Sequence, residues 1–357
     1  MLVERAIYIV STDEASGKSA IVVALASIAM DMGKKVGYFK PVGMRSSLIP
    51  GREHLDEDVE IMRSFLRLEH ESNIICPLIL DREEFLDKFA NADAESYIKS
   101  IRASYEKVSH DRDLMLIEGP HNFSTGSFIN CSIPRLAKDL EAEMLLVERV
   151  MDDSVVDDVL QCQDCCMRWG VKLFGVILNR IPSDRLERVK RVIKPFIEKH
   201  GIKVLGLIPE DKTLSAPTVR EICDFIGGRV LAGKEGLDKL IEAILIGAMT
   251  PDSASKYFRR VTNELVITGG DRTDIILTAL ETDVSAIVLT GNLYPSAKVF
   301  PKADQLKVPL ILVPYDTYTT LQYVQKIIGK IKPGDPRRIG TAINLVRKHV
   351  DWRQIIG

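Results

Sequence analysis

Residues 6–10, Ala6-Ile7-Tyr8-Ile9-Val10, form an unbroken apolar run, and residues 21–32 follow with apolar side chains at helical density. The alternation continues. Apolar runs of strand length near residues 35–39, 114–117, 144–147, 173–178 and 204–207 alternate with helix-like stretches at 18–32, 56–66, 94–110, 133–140, 153–169 and 185–200. Strands that are apolar on both faces predict a mainly parallel sheet covered by helices, an α/β architecture.

The segment Ile208-Pro209-Glu210-Asp211 and the polar stretch 213–219, with Ala216-Pro217-Thr218 ahead of Arg220-Glu221-Ile222, predict a boundary. The domains are expected at 1–212 and 213–357. In the second, the pattern predicts helices at 239–249, 274–281 and 317–328 and strands at 264–268, 286–290 and 309–313. A tail over 333–350 reads as a loop and a closing helix. No internal repeat or low-complexity tract interrupts this smaller α/β unit.

Composition narrows the classes. The 357 residues are 46% hydrophobic and 27% charged, as in a globular protein with substantial cores, and the formal net charge is −2. No basic field exists to draw nucleic acid or anionic lipid, so neither is an expected partner. No apolar run reaches about 18 residues, and Met1-Leu2-Val3-Glu4-Arg5 runs straight into a strand, so the expected location is cytoplasmic. Of the six cysteines, Cys162, Cys165 and Cys166 make a C-x-x-C-C cluster; on a helix with no partner pair at finger-like spacing, they read as buried thiols rather than a metal or redox centre.

Candidate chemistry begins at Ser11-Thr12-Asp13-Glu14-Ala15-Ser16-Gly17-Lys18-Ser19, between the first strand and the first helix. Backbone N–H groups of such a loop and the positive end of a helix receive phosphates, Lys18 neutralises the outer ones, and the Ser19 hydroxyl holds Mg²⁺. The loop therefore predicts a nucleoside triphosphate. Lys40-Pro41-Val42-Gly43, Glu118-Gly119-Pro120, Asn179-Arg180 and Ile208-Pro209 each fall at the carboxyl end of a later strand, where open α/β sheets bind ligands. His121 has the chemistry of a base, but a lone loop histidine is more simply solvated. In the second domain the turn Gly269-Gly270-Asp271-Arg272-Thr273 either receives an anion on its amides or is only a turn, and Thr290-Gly291-Asn292 poses the same choice.

Together these segments resemble dethiobiotin synthetase and its relatives, a P-loop branch with an elongated nucleotide loop ending in Gly-Lys-Ser or Gly-Lys-Thr. With Ile208-Pro209-Glu210-Asp211, Ala216-Pro217-Thr218-Val219 and the Gly269–Thr273 turn, the chain also resembles the amino-terminal half of long bacterial phosphotransacetylases, a dethiobiotin-synthetase-like domain followed by a DRTGG domain. Asp274-Ile275 stand where that motif has its closing glycines. The resemblance implies ATP and Mg²⁺ as cofactors, with Lys18 and Lys40 on the terminal phosphates as the catalytic pair. It implies Ser19, Glu118 and one of Asp58 and Asp56, the former preferred, as metal ligands. Thr12, Asp13, Gly17, Lys18 and Ser19 hold the phosphates, and Asn179 reads adenine beside Pro209. It further implies a homodimer, and, with the chain ending at Gly357, no acetyltransferase activity. Two roles stay open: a regulatory or adaptor protein that also senses a small-molecule effector, or an ATP-dependent synthetase acting on a carboxylate.

Overall fold

The computed structural model describes residues 4–13, 16–45, 56–81, 86, 93–120, 122–327 and 336–357. Glu14 and His121 lie outside them. Two compact units emerge: Met1–Asp211 together with Ile331–Gly357, and Lys212–Lys330 between.

In the first unit the apolar runs become β1 (Arg5–Val10), β2 (Val36–Phe39), β5 (Leu114–Glu118), β6 (Glu143–Arg149), β7 (Leu173–Ile181) and β8 (Val204–Pro209). They form one parallel sheet in the order β2-β5-β1-β6-β7-β8. Each central strand is buried on both faces, which is why it reads as continuous apolar sequence. The helices are α1 (Lys18–Asp31), α2 (Glu57–Leu66), α3 (Ser72–Ile75), α4 (Ala94–Ser109), α5 (Ile133–Asp139), α6 (Val155–Trp169) and α7 (residues 186–199). Two short strands that the pattern did not predict, β3 (Val42–Met44) and β4 (Leu78–Leu80), pair in parallel as a separate two-stranded sheet. Helix α7 is not uniform: Val189–Ile193 is π-helical between α-helical flanks, since Pro195 has no N–H to close the preceding turn. Cys162 and Cys166 are buried in α6 and Cys165 is half-buried, all as free thiols.

The second unit holds α8 (Lys212–Ser215), α9 (Val219–Phe225), β9 (Arg229–Ala232), β10 (Ala243–Ile246), α10 (Pro251–Phe258), β11 (Glu264–Gly269), α11 (Thr273–Ala279), β12 (Val284–Thr290), α12 (Val299–Leu306), β13 (Leu310–Leu312) and α13 (Thr317–Ile327). Its sheet runs β10-β11-β12-β13-β9, parallel except for β9. The helix expected over 239–249 is replaced by β10. Ile241, Ile244 and Ile246 are β-branched, and pairing beside β11 outweighs a helical period this short.

The domain expectation also needs correction at its carboxyl end. Residues 336–357 form α14 (Pro336–His349) and α15 (Trp352–Ile356), which belong to the first unit. The cause lies in α1, whose sequence is apolar almost all round; Ile21 to Ala26, Ile28 and Ala29 are all buried. A helix of that kind needs cover on two sides. The sheet gives one and α14 the other, with Ala342, Val346, Ile355 and Ile356 buried. Lys34 Nζ donates to the Ile356 carbonyl at 3.0 Å, and Asp351 N–H to the Leu205 carbonyl on the β8 edge at 2.7 Å. Among the described residues no helix is long and apolar enough to cross a membrane.

Candidate functional site

Strand register assembles the site. Phe39 pairs with Ile117 and Ile9 with Glu118, so Lys40, Glu118 and the loop after Val10 share one end of the sheet. Because β1 lies between β5 and β6 while β2 sits outside β5, the strand order reverses at β1, the switch point where such sheets take ligands.

At that point Gly17 caps α1 with φ of 86°, the left-handed region, and no side chain caps the helix in its place. A Cβ there would lie 2.6 Å from Asn179 Nδ2. Gly17→Ala is therefore expected to lower stability by about 1–3 kcal/mol, measured by urea unfolding, because it adds both strain and a clash. A loss within error would mean that the loop is not held in this form.

The Ser19 hydroxyl lies 2.9 Å from Asp58 Oδ1 and 2.8 Å from Glu118 Oε1, and its single proton serves one acid at a time. Tyr38 donates to the other Glu118 oxygen at 2.8 Å. Burial first, and then the Asp58 charge, push the Glu118 carboxyl up to about 7. Lys40 Nζ donates to Asp56 Oδ1 at 2.9 Å and Asp58 Oδ2 at 2.6 Å. Burial opposes its charge, but Asp56, Asp58 and Glu118 overcome that and hold the ammonium well above the usual lysine range. The choice between the two aspartates has a geometric side: Asp56 caps α2 through the Asp58 and Val59 amides, whereas Asp58 reaches Ser19. Lys18, also buried, donates to Ser11 Oγ at 2.5 Å, and burial lowers it below the ordinary lysine value.

Other expected residues stand nearby. Asn179 donates to the Ser16 carbonyl at 2.7 Å, so the amide that the resemblance gives to adenine rests on the loop. Asp13 lends its carbonyl to the Ser11 hydroxyl at 2.6 Å. Pro209 pairs with Ile181 at the end of β8. The Ser16 hydroxyl is fully buried with no hydrogen-bond partner among the described residues. Glu148 escaped the sequence reading. It sits two residues past the β1 partner Leu146 and accepts from the Thr12 N–H at 2.6 Å and the Thr12 hydroxyl at 3.0 Å, while burial raises it to about 7. The strand-end rule that finds Glu118 would find Glu148 too, had the apolar run been followed past Val147.

In the second unit the Gly269–Thr273 turn is packed against its neighbour: a Cβ on Gly270 would lie 1.8 Å from the Leu293 carbonyl. Arg272 is tied to Asp274 and to the Met249 carbonyl, each at 3.1 Å. Close packing against the Leu293 backbone accounts for Gly270.

A family model described as an AAA domain matches residues 5–218, and one described as a DRTGG domain matches 221–327. Phosphate acetyltransferase of Nitratidesulfovibrio vulgaris is 28% identical over 98% of this chain and 51% of its own length; that of Synechocystis is 24% identical with the same coverage. The chain spans about half the length of the curated relatives it matches. Among solved structures, cobyrinic acid a,c-diamide synthase from Mycobacterium smegmatis, with bound ADP and magnesium, is 13% identical over 59% of this chain and 88% of that one, with a TM-score of 0.39. The chain belongs to the P-loop family of that AAA-domain model, of dethiobiotin-synthetase type, joined to a DRTGG domain as in the amino-terminal half of phosphate acetyltransferases.

Proposed function

We propose that the first unit binds ATP with Mg²⁺ and that the chain works as a nucleotide-dependent regulatory or adaptor protein, a cytoplasmic homodimer. One observation carries the reading: the Ser19 hydroxyl stands between the Asp58 and Glu118 carboxylates at the start of α1, with the Lys40 ammonium in the same network. Hard oxygen donors of this kind suit Mg²⁺, and Ser19, Asp58 and Glu118 would hold it. Bound there, the ion would offset the charge of the terminal phosphates. Lys18 and Lys40 would turn from their present partners to those phosphates, Thr12, Asp13 and Gly17 would supply loop contacts, and Asn179 with the chain at Pro209 would flank the base. The unpartnered Ser16 hydroxyl is one more polar group that a bound phosphate would satisfy. The regulatory role is favoured by chain order, since the second unit is inserted between β8 and the closing helices of the first.

ATP with Mg²⁺ at a hundred times its dissociation constant is expected to stabilise the wild-type protein by about 2.7 kcal/mol, read as a rise in melting temperature, and Lys18→Ala to weaken binding at least tenfold. An unchanged melting temperature would remove the reading. The two lysines also favour a second role, phosphoryl transfer to a carboxylate in the manner of dethiobiotin synthetase. Phosphate release stimulated by a carboxylate substrate would select it; a thermal shift without turnover would select the regulatory role. Sedimentation velocity tests the dimer.

A further inference from the structure

A second concave site lies in the first unit, along the β8 edge. A cavity of about 440 Å³ is lined there by Lys190 and Lys194 of α7, residues 204–207 of β8, Lys348 and His349 at the end of α14, and Asp351 just after it. Its size is that of a small-molecule site. The two helices bring like charges together: Lys348 and Lys190 both act on His349, whose ring is pushed below the usual histidine value by burial and then by those lysines. The acids nearby do little to offset this. Lys190 leans on Glu187 at 2.9 Å and Lys194 lies 3.8 Å from Glu198, both solvent-exposed pairs of the weak kind. The Asp351 carboxylate accepts from Gln354 at 2.5 Å. Among the described residues no ion pair engages Lys348, and α14 carries Arg337, Arg338, Arg347 and Lys348 with no acidic residue.

We propose that this cavity binds a small phosphate-bearing anion, of the pyrophosphate or organic-phosphate class. Lysine ammonium groups act as point charges toward phosphate, and here they come from two helices that otherwise repel across the strand. The site is separate from the nucleotide loop: β8 is three places from β1 in the strand order, and the lining residues begin at the strand's amino end, whereas the loop follows the carboxyl end of β1. An anion there joins α7 to α14, and α14 packs along α1, the helix that begins at Lys18.

The test is NMR of the histidine rings in the full-length chain, with the His349 signal identified by its loss in His349→Gln, titrated with inorganic pyrophosphate in magnesium-free buffer. The His349 signal is expected to move saturably and its pKa to rise. Lys348→Ala together with Lys190→Ala should weaken the titration at least tenfold, and Lys348→Glu should do so alone. Both lysines are exposed, so melting curves close to wild type accompany these changes. Lys18→Ala should leave the titration in place. A His349 signal indifferent to millimolar pyrophosphate, a titration that survives the double substitution, or one that disappears with Lys18→Ala would each overturn the proposal; the last would assign the anion to the nucleotide loop.

Discussion

Lys40→Met is expected to destabilise the first unit by about 3–5 kcal/mol at pH 7, the usual cost of removing one member of a buried charge cluster. The Lys40 side chain is 3% exposed and that of its partner Asp56 4%, so neither charge is replaced cheaply by water. Asp56 keeps the amides of Asp58, Val59 and Met44, but loses its cation. Asp58, at 27% exposed, is better able to recover solvent. It also stays close to Glu118 through Ser19, and without the Lys40 ammonium the Asp58 charge pushes the Glu118 carboxyl, already raised to about 7, further toward its protonated form. The pattern makes a second, sharper expectation: Asp58→Asn added to Lys40→Met should restore part of the loss, because it removes the like charge that Lys40 had balanced. Denaturant unfolding of wild type, both single variants and the double variant gives the coupling. A Lys40→Met cost below about 1 kcal/mol would mean that the ion pairs are open to solvent.

Glu264→Gln should do the opposite, stabilising the second unit above neutral pH. Glu264 begins β11 and is completely buried, and neither carboxylate oxygen has a hydrogen-bond partner among the described residues. Burial raises its carboxyl to about 7, and Asp283 adds to the rise; the nearby Thr282 hydroxyl, which donates to the Ala279 carbonyl at 2.7 Å, offsets only part. The folded state thus holds the proton more tightly than the unfolded chain, whose glutamate titrates near 4.5. The stabilising contribution is complete below about 4.5, declines as pH rises, and is gone once pH passes about 7. The loss amounts to roughly 2–3 kcal/mol, which for a domain of this size corresponds to about 10 °C in melting temperature. Glutamine has no proton to lose. Its melting temperature should approach that of wild type near pH 4.5 and exceed it by several degrees at pH 8; parallel profiles for the two proteins would show that Glu264 is already solvated.

The core of the first unit was legible because its strands are buried on both faces, so that Ile7 to Val10 and Leu114 to Ile117 stand out as apolar runs whatever surrounds them. The same runs fixed where Lys40, Glu118 and Asn179 fall, since Lys40 follows a strand, Glu118 ends one and Asn179 lies two residues before the end of another. Polar networks were less legible. Glu148 follows an apolar strand but gives no signal of its own until the strand register sets it opposite Thr12. The π-helical stretch in α7 looks helical at every position, and only Pro195 hints at the break. In the second unit, residues 239–249 were misread because Ala243–Ile246 is short enough to fit either period, and pairing with a distant strand decided it. The helices α10 and α12 went unread, their mixed surfaces offering few apolar positions. Adjacency in sequence points the closing helices to the second unit, whereas the deciding fact is the all-round apolar character of α1.

That last arrangement sets an order on biosynthesis. A ribosome releases every described strand before it releases residues 336–357, so the second unit can close while α1 still exposes one apolar side to the cell. Of the two units, the one that begins first is completed after the other, and until then a chaperone has a place to hold.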